Sequence, residues 1–243
     1  MKKKLVMLTA YDYPTAKIVD EVGVDYILVG DSLGMVVLGH PDTKSVTMAD
    51  MLHHLKAVVR GVKNTHIVAD LPVDSYNNVK DAVKNAKLLM KAGAHSVKLE
   101  GAKPEVISAI IREGIPVMGH LGLLPQTAEK YKVHGKDQEE AEQIYQDAKL
   151  LDGLGMIALV LECVPSELAK HITESIKTPT IGIGAGMDCS GQVLVLHDIL
   201  GLSDFKGRMV KQYMNSKEMI RQAVTEFKDE VESEKFPTEK NSF

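Results

Sequence analysis

One unit recurs along the 243-residue chain: an amphipathic stretch, then a glycine, then a short β-branched run that ends in a polar residue. The clearest copy has apolar residues at helical spacing over residues 78–92, followed by Gly93 and the run Ser-Val-Lys-Leu-Glu at residues 96–100. Residues 14–22 and 138–152 begin further copies. Each copy predicts a helix that ends at a glycine and leads into a buried strand.

Taken together, the apolar runs predict eight strands that alternate with helices. Continuous apolar runs of this kind are typical of parallel strands that are buried on both faces. Eight of them in about 200 residues favour a closed (β/α)8 barrel, a TIM barrel, over an open doubly wound sheet. The predicted strands are residues 5–9, 26–29, 66–69, 97–99, 116–118, 157–161, 180–183 and 193–196.

The last part of the chain predicts a C-terminal amphipathic helical extension. We expect a catalytic barrel over residues 1–202 and the extension over residues 203–243, within a single domain overall. Residues 215–231 carry an apolar stripe at helical spacing, and such a stripe must be buried. It packs either on its own barrel or on a neighbouring subunit, and the sequence does not choose between them.

Composition and charge exclude several classes of function. The 29 basic and 33 acidic residues give a formal charge of -4, which argues against binding the phosphate backbone of nucleic acids. No apolar run approaches the roughly 18 residues that a membrane-spanning helix needs. The apolar stretch at the N-terminus is too short for a signal peptide, and two cysteines cannot form a disulfide framework. We therefore expect a cytoplasmic protein that acts on small molecules.

Acidic residues follow the predicted strands at the end where barrel enzymes hold their active sites. Asp31 follows the second strand and Asp70 the third, while Glu100 and Glu162 follow the fourth and the sixth. Four carboxylates at one mouth repel one another, which indicates a bound cation, a shared proton or both. The alternative is that each carboxylate only caps a helix.

Three of these carboxylates predict a metal site. Asp31, Asp70 and Glu100 offer the all-oxygen donors that Mg²⁺ prefers, with positions left for water and substrate. Lys98 alternates with Glu100, so both side chains point into the barrel. Lys98 either anchors the carboxylate or oxo group of an acidic substrate or forms a structural ion pair. Ser32 either donates a hydrogen bond to that substrate or is a turn residue.

Glu162 and His120 have further candidate roles. Glu162 lies in an apolar run, and a buried carboxylate there suits a general base. The alternative for Glu162 is a buried ion pair with a lysine. His120, at the end of the predicted fifth strand, is either an accessory contact to a metal-bound water or a polar residue satisfied by protein partners. We favour the second interpretation of His120.

Eight stretches in chain order carry a pattern beyond the barrel repeat. They are LTAYD (residues 8–12), VGDSLGM (29–35) with GH (39–40), ADLP (69–72), VKLEG (97–101), GHLGL (119–123) with PQ (125–126), LECVP (161–165), IGIGAG (181–186) and GQVLVLHD (191–198). Chance can produce any one of these stretches, but it does not produce all eight in this order. Together they resemble the ketopantoate hydroxymethyltransferase family over nearly the whole chain.

The resemblance implies a (β/α)8 barrel that transfers a one-carbon unit from 5,10-methylenetetrahydrofolate to 3-methyl-2-oxobutanoate. The product is 2-dehydropantoate, on the route to pantothenate. The resemblance also implies one Mg²⁺ per subunit and a homo-oligomer, commonly a decamer. By position, it implies Asp31 and Asp70 as metal ligands that flank the oxoacid, Glu100 as the residue completing the metal site, Ser32 and Lys98 as substrate contacts, and Glu162 as the proton acceptor.

Two departures from the family pattern bear on the barrel and on the folate. Little sequence precedes residues 8–12, so we expect a less covered barrel bottom. The stretch between Gln126 and Tyr131 is short and lies by a strand end, so we expect altered folate affinity or loop closure. An alternative function is carbon–carbon bond cleavage in a 2-oxoacid, as in isocitrate lyase or phosphoenolpyruvate mutase. The Lys-Lys-Cys-Gly-His loop of those enzymes is absent. A barrel that only binds oxoacids is a further alternative, against which the retained carboxylates argue.

Overall fold

The computed structural model describes residues 3–243 and contains the predicted (β/α)8 barrel. Eight parallel strands, β1 to β8, are hydrogen-bonded in chain order, and β8 closes the barrel on β1. Sequential order is the simplest result of repeated strand–helix–strand units, because each right-handed crossover lays the next strand beside the last. The strands are β1 (Leu5–Thr9), β2 (Tyr26–Val29), β3 (His66–Asp70), β4 (Ser96–Lys98), β5 (Val117–Gly122), β6 (Ala158–Glu162), β7 (Thr180–Ile183) and β8 (Gly191–Leu194).

Four of the seven helices between the strands begin at short polar residues whose side chains cap them. Asp12 accepts a hydrogen bond from the Thr15 backbone amide at 2.9 Å, and Thr47 forms a capping box with Asp50. These side chains satisfy amide groups that the first helical turn leaves without partners. The helices of the barrel are α1 (Tyr13–Val22), α2 (Leu33–Val36), α3 (Met48–Gly61), α4 (Val79–Lys91), α5 (Pro104–Arg112), α6 (Gln138–Asp152) and α7 (Ser166–Ser175).

Barrel closure depends on a glycine at the start of β8. Gly191 pairs with Leu5 of β1, and a Cβ atom at Gly191 would lie 2.5 Å from the Leu5 carbonyl oxygen. The ladder therefore begins at Gly191, and β8 ends at Leu194. The sequence prediction of a strand over residues 193–196 was wrong by two residues at each end.

The interior of the barrel is filled by apolar side chains from the strands, which is the usual core of this fold. Below the polar mouth, these side chains form a continuous buried cluster. It contains Met7, Leu28, Val68, Met118, Ala158, Val160, Ile181 and Val193. The mouth therefore rests on a packed floor, and polar residues at the strand ends sit at the boundary between that floor and the loops.

The chain divides into two units after Val195. The second unit contains α8 (Leu196–Ile199), α9 (Ser216–Glu232) and a short 3-10 helix, Glu239–Asn241. The predicted helix over residues 215–231 corresponds to α9, and its apolar stripe is 44–60% exposed. The boundary expected after residue 202, and the surface that buries the stripe, stay predictions. Across residues 3–243, none of the helices combines the length and apolar character that crossing a bilayer demands.

Candidate active site

The predicted site residues meet at the carboxyl end of the barrel. They come from five consecutive strands, β2 to β6, and from the residues that follow directly, and all except the partly buried Ser32 are at most 9% exposed. The carboxyl ends of parallel barrel strands share one face, which brings these side chains together. We call the group the acidic cluster; it consists of Asp31, Asp70, Lys98, Glu100, His120 and Glu162. His120 lies inside β5 and not at its end, which corrects its predicted position.

An ion pair crosses the acidic cluster between β3 and β4. Lys98 Nζ donates to Asp70 Oδ1 at 2.8 Å, and the Asp31 backbone amide donates to Asp70 Oδ2 at 3.0 Å. The partner of Lys98 is thus on the neighbouring strand, where Asp70 and Lys98 are paired in register. Burial lowers the pKa of Lys98, but Asp70, Glu100 and Asp31 together raise it above its ordinary value. The lysine is therefore a fixed positive charge at the mouth.

His120 lies between two carboxylates of the cluster. Its Nδ1 is 3.5 Å from Glu100 Oε1 and its Nε2 is 3.2 Å from Glu162 Oε2, which are ion-pair distances. Burial lowers the pKa of His120, but the two carboxylates outweigh it and raise the pKa to about 9. Both ring nitrogens then carry protons at neutral pH, and each is within ion-pair distance of a carboxylate without a well-aligned hydrogen bond to it. Glu162 is thus paired with a histidine and not with the lysine that the sequence left open.

The backbone turns sharply directly after Glu162. Cys163 has a φ of +50°, and on the adjacent strand the Leu123 amide donates to the Glu162 carbonyl at 2.8 Å. A Cβ atom at Gly122, whose φ is +93°, would lie 2.2 Å from that carbonyl oxygen. Positive φ at a non-glycine residue is strained and is maintained only by its surroundings. These contacts fix the position from which the Glu162 side chain extends.

Ser32 is partnered by a buried tyrosine from the end of β1. Tyr11 Oη lies 2.7 Å from Ser32 Oγ, and the Tyr11 carbonyl is 2.7 Å from His54 Nδ1. Burial raises the pKa of Tyr11 above its ordinary value, so the phenol keeps its proton and can donate to Ser32. A serine that accepts one hydrogen bond from Tyr11 keeps its own hydroxyl proton for another acceptor.

The electrostatics of the cluster show an excess of negative charge. Four carboxylates face two cationic side chains, Lys98 and His120. Burial, followed by the Asp70 charge, raises the pKa of Asp31 to about 8. Contact with His120 holds the pKa of Glu100 below its ordinary value, although burial acts in the opposite direction. The cluster therefore takes up a proton on Asp31 when no further cation balances it.

The donor set fits a hard divalent cation in type and in charge. Its free donors are carboxylate oxygens, and an ion of charge +2 would offset the excess negative charge. Among residues 3–243, no three or more His, Cys, Asp or Glu side chains are already gathered into a ligand cage. A hard divalent cation here would be held by one or two carboxylates, with water and substrate oxygens completing its shell.

Sequence reasoning missed two residues that hold the cluster together, Gln126 and Tyr76. Gln126 donates to Asp31 Oδ2 at 2.7 Å from its side chain and to Glu100 Oε2 at 3.1 Å from its backbone. Tyr76 Oη donates to the Gln126 amide oxygen. Gln126 stands in one of the family-like stretches, which was the available signal, whereas nothing in the local sequence singles out Tyr76.

The short loop after Gln126 carries an aromatic residue toward the mouth. Tyr131 Oη donates to Met35 Sδ at 3.8 Å and so connects this loop to α2. Burial, together with the Glu162 carboxylate, raises the pKa of Tyr131 to about 12. Because the Glu162 charge contributes to the raised pKa of Tyr131, this half-exposed phenol lies within electrostatic range of the acidic cluster. It is a further residue that the sequence did not identify.

Comparison with known proteins agrees with this geometry. The sequence model of the ketopantoate hydroxymethyltransferase family matches residues 1–239. The chain is 55% identical to the 3-methyl-2-oxobutanoate hydroxymethyltransferase of Acetivibrio thermocellus, over 99% of this chain and 88% of that protein. Its identity to the enzyme of the same name from Ignicoccus hospitalis is 54%, over 98% of this chain and 92% of that protein.

A solved structure of phosphonopyruvate hydrolase, in complex with oxalate and Mg²⁺, has the same fold. It matches with a TM-score of 0.65 over 98% of this chain and 88% of that chain. At 13% sequence identity, this likeness concerns the fold alone. The family assignment depends instead on the match over nearly the full length and on relatives at more than half identity. The chain is a member of the ketopantoate hydroxymethyltransferase family.

Proposed function

We propose that this chain transfers a hydroxymethyl group from 5,10-methylenetetrahydrofolate to 3-methyl-2-oxobutanoate, giving 2-dehydropantoate for pantothenate synthesis. The observation that carries the proposal is the buried acidic cluster, with its excess negative charge, at the mouth of a barrel of this family. The overall reaction consumes one water, which supplies the hydroxyl oxygen, and releases tetrahydrofolate. The chain therefore has to bind an oxoacid, remove a proton from its C3 carbon and exclude other acceptors.

Lys98 and Ser32 are the proposed contacts to the oxoacid. The Lys98 ammonium is fixed by Asp70 and attracts the substrate carboxylate into the mouth. Ser32 Oγ lies 2.7 Å from Tyr11 Oη, and when the tyrosine donates, the serine proton is available to a substrate oxygen. A lysine and a hydroxyl group held in place before the substrate arrives reduce the ordering cost of binding.

Mg²⁺ is the proposed cofactor, with Asp31 and Asp70 as its ligands and Glu100 completing the site. When bound, it stabilises negative charge on the ketone and carboxylate oxygens of a 2-oxoacid, which makes the neighbouring C–H bond more acidic. The chain's contribution is to hold these carboxylates in position. Asp70 is held at both oxygens, by Lys98 and by the Asp31 amide.

Glu162 is the proposed general base. It takes the C3 proton of the oxoacid, and the resulting carbon nucleophile forms a bond to the methylene carbon of the folate while one of that carbon's two bonds to nitrogen breaks. Water then displaces the second nitrogen, which gives the hydroxymethyl group and releases tetrahydrofolate. His120, 3.2 Å from Glu162 Oε2, orients the carboxylate before proton transfer. The fixed backbone at Cys163 keeps Glu162 at the edge of the mouth, where it is 9% exposed and accessible to substrate. A positioned base of this kind contributes roughly 10²- to 10⁴-fold to the rate.

We also propose that the enzyme works in the cytoplasm as a homo-oligomer, with a decamer as the expected form. The support for self-association is the exposed apolar stripe of α9, which includes Phe227 at 55% exposure. A stripe of this kind is stabilised when another apolar surface covers it. Size-exclusion chromatography with light scattering measures the subunit number directly.

The proposed reaction is tested by proton NMR on purified protein with Mg²⁺, 3-methyl-2-oxobutanoate and 5,10-methylenetetrahydrofolate. We expect a new hydroxymethyl resonance to grow as the C3 methine signal decays, and we expect EDTA to stop both changes. A parallel sample in D₂O without folate separates the two halves of the reaction. Loss of the methine signal there reports proton removal alone.

Each of the other possible outcomes of the NMR assay favours a different interpretation of the function. Exchange of the C3 proton without product formation means that the oxoacid site works and that folate delivery fails, which would direct attention to the short loop between Gln126 and Tyr131. The absence of both C3 proton exchange and hydroxymethyl transfer would contradict the proposal. Cleavage of a substituted malate or citrate without any folate would favour a carbon–carbon lyase of the isocitrate lyase or phosphoenolpyruvate mutase type.

A further inference from the structure

Gln126 makes four hydrogen bonds at the acidic cluster and has no part in the reaction proposed above. It follows β5 and is 2% exposed. Its side-chain nitrogen donates to Asp31 Oδ2 at 2.7 Å and to the Leu71 carbonyl at 3.0 Å. Its backbone amide donates to Glu100 Oε2 at 3.1 Å, and its side-chain oxygen accepts from Tyr76 Oη. One residue thus connects the ends of β2, β3 and β4.

The orientation of the Gln126 amide is determined by its partners. Leu71 offers a carbonyl oxygen, which can only accept, so the amide nitrogen must face that side. Tyr76 supports the same orientation by donating to the amide oxygen, and the Glu100 backbone amide lies 3.4 Å from the Tyr76 phenol oxygen. The hydrogen bonds form a closed circuit in which every donor faces an acceptor. A circuit of this kind is rigid because breaking one bond leaves two buried groups without partners.

Gln126 donates a hydrogen bond to one oxygen of Asp31 and to one oxygen of Glu100, two carboxylates that otherwise repel each other. Asp31 and Glu100 are both buried, and each raises the energy of the other's charge. Hydrogen bonds from Gln126 fix Oδ2 of Asp31 and Oε2 of Glu100 in place. Oδ1 of Asp31 is thereby presented in one orientation, and Oε1 of Glu100 is held on its other side, 3.5 Å from His120 Nδ1.

We propose that Gln126, held by Tyr76, is a positioning residue that sets the divalent-cation affinity of the Asp31 and Glu100 carboxylates. The inference rests on the proposed function, because it assigns these carboxylates to the cation. Groups that orient metal ligands in this way typically change metal affinity by about 10- to 100-fold when they are removed. Gln126 acts through Asp31 and Glu100, and not on the substrate.

The test measures Mn²⁺ binding to the intact protein by electron paramagnetic resonance, with no substrate present. Gln126→Leu removes the side-chain donor and acceptor but keeps the backbone amide that serves Glu100. We expect it to weaken Mn²⁺ binding by about 10- to 100-fold. We expect Tyr76→Phe to weaken binding by a smaller factor. The double variant should be no weaker than Gln126→Leu, within about twofold, because Tyr76 acts through Gln126.

Ser96→Ala is the matched control for a purely structural effect. Ser96 begins β4 at the other end of the barrel, and its buried hydroxyl pairs with His66 Nε2 at 2.9 Å. Its loss removes a buried hydrogen bond and is expected to lower the melting temperature while leaving Mn²⁺ affinity unchanged. If Gln126 were only structural, Gln126→Leu would behave in the same way.

The outcomes separate this inference from the proposed function. Mn²⁺ binding by the unchanged protein together with equal binding by Gln126→Leu overturns the inference alone. Failure of the unchanged protein to bind Mn²⁺ overturns both the inference and the proposed metal site, and the hydroxymethyl-transfer assay then decides the rest of the function. If Gln126→Leu does not fold, Tyr76→Phe carries the test, and an unchanged Mn²⁺ affinity in that variant overturns the inference.

Discussion

Replacing Lys98 by methionine separates the contribution of the acidic cluster to stability from its contribution to chemistry. Lys98 and Asp70 form an ion pair at 2.8 Å, with side chains only 6% and 2% exposed. Methionine has nearly the same length but leaves the Asp70 carboxylate buried without its counter-charge, close to Asp31. Removal of one partner from a buried pair costs about 3–5 kcal/mol. For a chain of this length, that loss lowers the melting temperature by roughly 6–20 °C.

The double variant Lys98→Met/Asp70→Leu is expected to restore the stability that Lys98→Met loses, but not the catalytic activity. Replacing a buried ion pair by apolar side chains removes the desolvation cost of both charges, so stability often returns to that of the original protein or exceeds it. We therefore expect the double variant to be more stable than Lys98→Met by at least about 2 kcal/mol. It has neither the proposed substrate anchor nor one proposed metal ligand, so we expect no hydroxymethyl transfer.

The assay is urea unfolding of the metal-free proteins at neutral pH, followed by circular dichroism and combined with the NMR transfer assay. A loss below about 1 kcal/mol for Lys98→Met would refute the reasoning, because it would mean that water or rearrangement already solvates Asp70. A double variant no more stable than Lys98→Met would refute it as well. Restored stability with abolished turnover would show that the pair is kept for the chemistry.

Three further predictions concern the base, the metal and the charge of the cluster. Glu162→Gln is expected to slow C3 proton exchange and transfer by at least about 10²-fold while oxoacid binding, measured by calorimetry, is unchanged; full activity would exclude Glu162 as the base. Asp70→Asn is expected to weaken Mn²⁺ and oxoacid binding together in the same titrations. Mg²⁺ binding at pH 7 should release about one proton, because burial and Asp70 raise the pKa of Asp31 to about 8, and the release should vanish above pH 9. Calorimetry in buffers of different ionisation enthalpy measures it, and a release that does not depend on pH would contradict the assignment.

The barrel was predictable because its signal is local and repeated. Apolar runs bounded by helices and glycines predicted β1, β2 and β7 with the bounds that the structure has. At β8, a glycine that counts as a strand breaker in sequence is required where this strand approaches β1. Helix α9 was predictable from periodicity for the same reason, whereas the surface that covers its stripe is not a local property.

The acidic cluster was predictable as a set, but its contacts were not. The rule that polar residues at the carboxyl ends of barrel strands face one mouth brought the carboxylates together. It did not give the partner of Lys98, which depends on the register between β3 and β4. It also missed the contact from Gln126 to Asp31, which joins residues 95 positions apart in the chain. Long-range contacts of this kind follow from the closed barrel and leave no periodic signal in the sequence.

The arrangement of charges explains why the cluster suits catalysis better than structural support. A cluster kept only for stability would match its carboxylates with equal numbers of cations or replace them by apolar residues, because excess buried charge is costly. Here four carboxylates face Lys98 and His120, and the protein tolerates the imbalance by protonating Asp31. A divalent cation removes that cost on binding and leaves the fixed positive charge of Lys98 for an anionic substrate. In the proposed function, the excess negative charge of the metal-free cluster is therefore the source of its affinity for a divalent cation, and the fixed charge of Lys98 attracts the oxoacid.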